Sequence, residues 1–222
     1  MNRQALLVRL ESSEAELAGL QVRRLFATEG VGELFRFEIE AIDAGAEPVV
    51  SAELLGIEVD VWFEVGGAVE RRVHGIVSRV SDRGDAAGAR DASRRSRALS
   101  ITVVPRLHRL TLVATQEVFL DMSLGEVIRK KGELYGLGDA DIDLRLSHAF
   151  DPREFIVQYK ETDLAFLSRL CEHEGLSMFF VEEDGRDVLV ARPRARALRC
   201  GGRVGRRALA RGGARARPLA LR

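Results

Sequence analysis

Alternating apolar and polar residues in the first hundred positions predict β-strands. In LFRFEIEAID (residues 34–43), the odd-numbered positions from 35 to 41 are apolar and the positions between them are charged. IEVDVWFEV (57–65) repeats the alternation, with apolar residues at 59, 61, 63 and 65. Because successive side chains of a strand point to opposite faces of a sheet, both segments are typical of antiparallel strands buried on one face.

Turn residues divide this region into further strands. A Gly66–Gly67 turn is followed by RRVHGIVSRV (71–80), which we expect to pair with the preceding strand. Gly75 within it marks a bulge or a close approach of two backbones. Residues 81–96 are rich in charges and turn formers and predict an exposed, mobile loop. ALSITVV (98–104) then predicts another strand.

Helical patterns occur in two places, each with a start signal. Ser123 and Glu126 have the spacing of a capping box, in which each side chain binds a backbone amide of the other residue. The second helix is predicted to start at Thr162, with Asp163 in its first turn and Gly175 as its C-terminal cap. The predicted buried stripes are Leu124, Val127, Ile128 and Leu134 in the first helix and Leu164, Leu167, Leu170 and Cys171 in the second.

Segments on either side of the second helix predict more strands, so the pattern favours an α+β fold made mainly of antiparallel β. The residues of EFIVQYK (154–160) divide between two sides, with Phe155, Val157 and Tyr159 on one and Ile156 and Gln158 on the other. After Gly175, LSMFFVEEDGRDVLVAR predicts a hairpin, because Asp184 and Gly185 tolerate the positive φ angles of a tight turn. No strand–helix alternation indicates a parallel nucleotide-binding sheet.

Charge is distributed unevenly although the net charge is zero. Residues 193–222 contain ten arginines and no acid, which leaves 24 basic and 34 acidic residues in 1–192. The acidic body disfavours nucleic acid as the main partner, since that binding depends on clustered Lys and Arg. The Arg-, Ala- and Gly-rich tail predicts disorder. It is interpreted either as a basic interaction arm or as out-of-frame translation of a GC-rich gene.

Histidines, cysteines and paired acids form no catalytic or metal-binding pattern in the sequence. His173 stands between two glutamates, but neighbours on a helix point about 100° apart and cannot converge on one ion. The other histidines have no partner motif: His74, His108 and His148. Cys171 lies on an apolar stripe, and its distance from Cys200 predicts neither a disulfide framework nor a zinc site. We therefore predict no enzyme, no cofactor and no metal.

Residues 153–190 closely resemble the signature of VgrG proteins, the spike and hub subunits of type VI secretion systems. They read REFIVQYKETDLAFLSRLCEHEGLSMFFVEEDGRDVLV. The family pattern runs through Q-Y-x-E-x-D-x-x-F-L-x-R-L, an acidic E-x-E-G, an aromatic strand and a D-G hairpin. LFRFEIEAI, LLGIEVDVWFEV with RRVHGIVSRV, and residues 104–137 are similar to earlier family elements in the same order. The resemblance covers nearly all of residues 5–192.

This resemblance implies a fold similar to the hub of contractile phage tails, with barrel-like β domains and small helical insertions. We expect a first barrel-like region over 1–115, a helix, strand and hairpin region contributing to a second barrel over 116–192, and the tail over 193–222. The implied assembly is a homotrimer that caps a hexameric Hcp-like tube and delivers effectors.

Its implied partners are further copies, the tube protein and effector or spike-tip proteins, with no small-molecule substrate. The longest apolar runs fall short of the roughly 20 residues of a membrane span, and the N-terminal apolar run is too short for a signal-peptide core. The expected localisation is cytoplasmic before assembly, followed by export with the secretion tube.

The residues that match the VgrG signature have structural roles in this interpretation. They are Gln158 and Tyr159 in a strand, Glu161 and Asp163 around a helix start, Phe166, Leu167, Arg169 and Leu170 in the helix, and Glu174 and Gly175 at its end. Carboxylates are favoured at a helix N-terminus, and the apolar residues are expected to dock the helix on the sheet. Arg169 is expected either to pair with Glu161 or Asp163 or to remain solvated.

Two features depart from the VgrG pattern. Pro105 is followed by Arg106 and Leu107 where family members usually have tryptophans, and the arginine-rich tail stands where the rest of the second barrel and a β-helical needle would follow. Four hypotheses stay open: a hub subunit of a secretion machine, a truncated non-functional fragment of one, a phage or tailocin baseplate hub, and a nucleic-acid or membrane-surface binder acting through the basic tail.

Overall fold

The computed structural model describes residues 6–30, 33–45, 49–85, 97–146, 150–193 and 210–211. The chain forms two compact units. The first contains Met1–Glu29, Phe35–Pro105 and Gly205–Arg222, and the second contains Gly30–Leu34 and Arg106–Val204. This division does not by itself test the domain ranges predicted from the sequence. Among the described residues, no helix is both long and apolar enough to span a membrane.

The first unit is built on a seven-stranded sheet that curls as a half-barrel. Its strands are β1 (Leu6–Glu11), β2 (Leu20–Gly30), β3 (Glu33–Asp43), β4 (Glu58–Val65), β5 (Ala68–Asp85), β6 (Arg97–Val104) and β12 (Ala210–Arg211). Their order across the sheet is β1-β4-β5-β6-β3-β2-β12. Because β4, β5 and β6 are sequential and antiparallel neighbours, the region predicted as a hairpin and a third strand folds as expected.

Burial along β3 and β4 follows the alternation in the sequence. In β3, all four odd-numbered residues from Phe35 to Ala41 are buried, whereas Arg36 and Glu38 are exposed. In β4 the alternation holds for the first half and then weakens, because the register shifts between Phe63 and Glu64. One face of the sheet therefore forms the core of this unit.

Glycines shape this sheet at two of the predicted positions. Gly66 and Gly67 have φ angles of 61° and 86° and form the two-residue turn between β4 and β5. At Gly75, a Cβ atom would lie 2.5 Å from the carbonyl oxygen of Val104. Of the two alternatives for Gly75, a close approach of backbones is therefore the correct one. The register shifts of β5 lie elsewhere: opposite Phe63–Glu64 of β4, after Val77 and after Asp82.

Strand β5 is longer than the sequence pattern predicts. Residues 81–85 were expected to begin a loop, but they continue the strand and pair with β6. The prediction was wrong there because the ladder is held by backbone hydrogen bonds, which need no apolar side chains. An ion pair between Arg97 and Asp82 also joins the two strands. Residues 86–96, the rest of the predicted loop, lie outside the described residues.

The second unit combines two small sheets with two helices. Its strands are β7 (Ala114–Met122), β8 (Ile142–Leu144), β9 (Arg153–Thr162), β10 (Leu176–Glu183) and β11 (Arg186–Pro193), and its helices are α1 (Leu124–Glu133) and α2 (Asp163–His173). Short 3-10 helices span Arg106–Thr111 and Asp139–Asp141. Strands β7 and β9 pair antiparallel, while β10, β11 and β8 form a three-stranded sheet in which β8 runs parallel to β11.

Both helices begin where the sequence predicts. Ser123 and Glu126 form the reciprocal capping box of α1. Thr162 caps α2 by accepting a hydrogen bond from the amide of Ala165 at 3.2 Å. Leu134 was expected in the buried stripe of α1, but it is 66% exposed because the helix ends at Glu133 and its side chain leaves the packed face.

The β10–β11 connection is the predicted tight hairpin. Asp184 and Gly185 have φ angles of 52° and 77°, and Glu183 pairs directly with Arg186. This turn carries β11 back through the interior of the second unit, where Leu189 and Ala191 are buried. The arginine-rich tail after Pro193 is described only at Ala210–Arg211, which pair with β2, so its predicted disorder stays a prediction.

Candidate functional site

Two of the signature residues, Gln158 and Asp163, meet at one buried carboxylate. Asp163 is 1% exposed. It accepts four hydrogen bonds: from Lys131 Nζ at 2.9 Å, Gln158 Nε2 at 2.7 Å, Tyr135 Oη at 2.7 Å and Thr115 Oγ1 at 3.0 Å. These five residues form what we call the Asp163 network.

The Asp163 network joins four elements of the second unit. Asp163 is the first residue of α2, Lys131 lies in the last turn of α1, Gln158 belongs to β9 and Thr115 to β7. Gln158 also donates to the carbonyl of Glu161 at 3.1 Å, which holds the chain as it leaves β9 for the helix. The network therefore fixes both helices against the two-stranded sheet.

The ionisation of the network is set by competition between burial and hydrogen bonding. Burial favours the neutral form of Asp163, but its hydrogen bonds, above all from Lys131, lower the pKa of this carboxyl below the ordinary value. Burial likewise acts against the charge of Lys131, and its contacts with Asp163 and Glu117 raise its pKa. Burial and the Asp163 charge raise the pKa of Tyr135 to about 12. At neutral pH the site is therefore a closed ion pair with a neutral phenol.

The helix face of the signature is apolar and packed as predicted. Phe166, Leu167 and Leu170 are buried, and the ring of Phe166 stacks on that of Phe119 with centroids 5.5 Å apart. They belong to the core of the second unit together with Ile156 and residues of α1. This packing docks α2 on the inner face of the β7–β9 sheet.

Arg169 pairs with Glu161, which is one of the alternatives that the sequence left open. Its Nη2 lies 2.5 Å from Glu161 Oε1 and also donates to the carbonyl of Val157 at 3.1 Å. The hydrogen bond from Arg169 and, to a smaller extent, its charge lower the pKa of Glu161. Asp163 is satisfied by other donors, so the two signature acids have different partners.

The remaining signature residues lie away from the Asp163 network. Glu174 forms an ion pair with Arg153, and Gly175 has a φ of 69°, the left-handed conformation that ends a helix. Tyr159 points outward and is 63% exposed, while its neighbour Gln158 is buried. Position in the signature thus does not imply a place in one site.

A second buried ion cluster was not recognised in the sequence. Arg106 donates to Asp187 from its backbone amide at 2.7 Å and from Nε at 2.6 Å, and to Asp141 from Nη2 at 2.5 Å. It ties both 3-10 helices to β11. The available signal for this cluster was Asp187, which stands beside an apolar strand. Lys131, one helical turn after Val127, was the corresponding signal for the Asp163 network, because a charge within an apolar stripe must find a buried partner.

The residues considered for chemistry do not converge in the structure. His173 is an exposed residue beside Glu174, and His74 lies in the first unit with Nδ1 2.9 Å from Asp60. Cys171 is buried, and burial raises the pKa of its thiol to about 11. Within the described ranges, no group of three or more His, Cys, Asp or Glu residues is arranged to hold a metal. His148 and Cys200 lie outside those ranges.

Comparison with known proteins places these features in a family. Residues 28–217 match the phage tail baseplate hub (GPD) family. The chain belongs to this family. The matched range reaches into the arginine-rich tail of this hub protein.

Curated relatives of the hub protein include spike proteins of type VI secretion. VgrG1c of Pseudomonas aeruginosa is 33% identical over 171 residues, and VgrG1b of the same organism is 31% identical over 188 residues. The alignments cover 77% and 84% of this chain but 22% and 24% of the relatives. The chain is therefore VgrG-like, and it spans about a quarter of the length of these proteins.

Solved structures share the hub fold. One is the Escherichia coli c3393 protein, a type VI secretion component that is similar in structure to the phage T4 tail proteins gp27 and gp5. It aligns with a TM-score of 0.71 at 18% sequence identity, and the alignment covers 83% of this chain and 48% of that one. A chain of the Francisella PdpA-VgrG complex aligns with a TM-score of 0.60 at 10% identity, covering 87% and 32%. These matches confirm the predicted class, a mainly antiparallel β fold of the phage tail hub type.

Proposed function

We propose that this VgrG-like hub protein is a structural subunit of a contractile injection machine of the type VI secretion kind. Three copies form a ring that caps a hexameric Hcp-like tube, and the assembly carries effector or spike-tip proteins. The chain stays in the cytoplasm before assembly and leaves the cell with the tube.

The Asp163 network is the observation that carries this proposal. Asp163, the most buried acid of the signature, accepts four hydrogen bonds that dock α2. Glu161 forms an ion pair with Arg169. Three of the donors to Asp163 bind Oδ1 and one binds Oδ2, and the residue is 1% exposed, so the carboxylate is closed off from a substrate. The signature therefore supports a scaffold and not a catalyst.

Similar proteins support the assembly part of the proposal. The curated relatives are type VI secretion spike proteins, and one similar structure is a complex of a VgrG with the protein PdpA. We propose that this chain likewise acts through protein partners, without chemistry of its own. A phage or tailocin baseplate hub is the second candidate, favoured by the family that the chain matches and by similar structures of prophage tail proteins.

A tube-binding experiment tests the proposal. The full chain is mixed with preformed tubes of an Hcp-like protein and, separately, with tubes of a phage tail-tube protein, and bound chains are counted by sedimentation and native mass spectrometry. We expect three chains per tube end with the Hcp-like protein. Binding only to the phage tube would favour the baseplate hub, and a chain that remains monomeric and binds neither tube would contradict both.

A further inference from the structure

The two-stranded β7–β9 sheet has an apolar face that the described part of the chain leaves uncovered. We call this surface the outer face. Its side chains are exposed as follows: Val118 56%, Leu120 65%, Phe155 61%, Val157 42% and Tyr159 63%. The opposite face of the same strands packs on α1 and α2 and contributes Phe119 and Ile156 to the core.

Strand register gathers these residues into one block. Val118 pairs with Val157 and Leu120 with Phe155, while Tyr159 stands opposite Gln116. Residues directly opposite each other on antiparallel strands have neighbouring side chains. The block therefore has three rows of two side chains, of which five are apolar and none is charged.

Its size is unusual for a surface that faces only water. Five side chains of these types at these exposures present roughly 500 Å² of apolar surface, near the upper end for the largest patch of a monomer. Neither strand has a further partner in the sheet among the described residues. This combination is typical of a surface that another β structure covers.

Charges of opposite sign stand at the two ends of the outer face. At one end, Nζ of Lys160 lies 5.2 Å from the centre of the Tyr159 ring. At the other end, Asp121 and Glu154 follow and precede the Leu120–Phe155 pair, and both are exposed. The outer face is thus an apolar block with a positive end and a negative end.

We propose that the outer face packs against the same face of a second copy of this chain. A two-fold axis at the Val118–Val157 pair reverses the strand direction of the second copy. Lys160 of each copy then faces Asp121 and Glu154 of the other, so the charge pattern is complementary to itself. Two sheets stacked in this way bury about 1,000 Å² in total, the size at which specific contacts begin.

This contact is independent of the hub ring. A two-fold contact joins a surface to itself and cannot close a ring of three copies, which needs two different surfaces on each copy. The two-fold pairing is therefore a second mode of self-association. It can be tested separately from tube binding.

Two leucines with almost equal exposure provide the first test. Leu120 in the outer face is 65% exposed, and Leu134 at the end of α1 is 66% exposed. Analytical ultracentrifugation of the full chain should show a weak dimer with a Kd on the order of 0.1 mM. Leu120→Lys should raise the Kd at least about tenfold, because it places two like charges in the contact, whereas Leu134→Lys should leave it unchanged.

Leu120→Thr keeps a residue suited to an exposed strand and should also weaken the dimer, which separates loss of contact from loss of folding. A chain that stays monomeric at concentrations of about 1 mM, or equal effects of the lysine substitutions at the two leucines, would overturn the proposal. So would a Leu120→Lys variant that loses tube binding while it still dimerises, since the face would then serve another protein.

A charge exchange tests the orientation. Lys160→Glu and the double change Asp121→Asn with Glu154→Lys should each weaken self-association, because each leaves charges of one sign at both ends of the outer face. When the two variants are mixed, every contact between them joins opposite charges, and a heterodimer should form at least as well as the unchanged dimer. Failure of the mixture to restore association would overturn the two-fold arrangement.

Discussion

At the scale of single residues, the second unit is organised by charges that lie inside it. Lys131 and Asp163 are each 1% exposed, and their side chains contact directly at 2.9 Å. A buried pair contributes little net stability compared with apolar residues of the same size, but removal of one member leaves the other charged and unpaired. We infer that the network specifies where α2 begins on the sheet more than it adds to stability.

Adjacent lysines make this inference testable. Lys131→Met leaves Asp163 buried without its cation and should lower the free energy of unfolding by about 3–5 kcal/mol. Lys130→Met removes a pair of an exposed lysine with Glu117 and should cost less than about 1 kcal/mol. Urea unfolding of both variants measures the difference. Equal losses would show that burial of the pair has no energetic consequence.

Acid should weaken the fold partly through Asp163. Its pKa in the folded chain lies below the ordinary value of 3.8, so its contribution is present above that value and is lost as the pH falls through the folded pKa. In Asp163→Asn the amide cannot titrate, so the free energy of unfolding should fall less steeply between about pH 5 and about pH 2. Urea titrations across that range compare the two slopes. The same slope in both proteins would assign the acid sensitivity to other carboxyls.

At the scale of elements, local signals set where helices and hairpins begin and end. Ser123 and Thr162 cap the two helices, and Asp184–Gly185 forms the tight turn between β10 and β11. Each signal is satisfied by residues within a few positions along the chain, so it does not depend on tertiary packing. This is why these boundaries are readable in the sequence.

Gly175 provides a test of one such boundary. Its φ of 69° is unfavourable for any residue with a Cβ atom, while space around the position is open, with no heavy atom within 4 Å of an added Cβ. Gly175→Ala should therefore lower the free energy of unfolding by about 1 kcal/mol through backbone strain alone. Gly175→Asn should cost less, because asparagine tolerates this conformation. Thermal unfolding of the two variants checks that alanine costs more than asparagine. A steric clash would give the opposite order, because asparagine is the larger residue.

At the scale of the whole molecule, two modes of association are proposed for one hub chain. The ring that caps a tube rests on the family and its spike relatives. The two-fold pairing rests on the outer face of β7 and β9. Counting chains on tube ends and measuring the dimer of the Leu120 variants separate them, because each experiment leaves the other association intact.

Sequence patterns were least informative for charged residues and for the last residues of β5. Residues 81–85 lack an apolar period yet continue a strand, since β6 supplies the backbone partners. Asp141 looks like an ordinary surface acid, and the position of Asp187 beside an apolar strand does not say which residue it binds, but Arg106 binds both inside the second unit. Such pairings join residues far apart in the chain, and no local pattern records them.

By itself, the sequence determined the antiparallel β class, the helix starts, the turns and the hub signature, because each depends on side-chain alternation, caps or short motifs. Only the tertiary structure decided which donors surround Asp163 and which side of β9 is buried. The alternation in EFIVQYK separates Phe155, Val157 and Tyr159 from Ile156 and Gln158, but both sides carry apolar residues. The helices pack against Ile156 and Gln158, and this long-range contact leaves the aromatic side exposed.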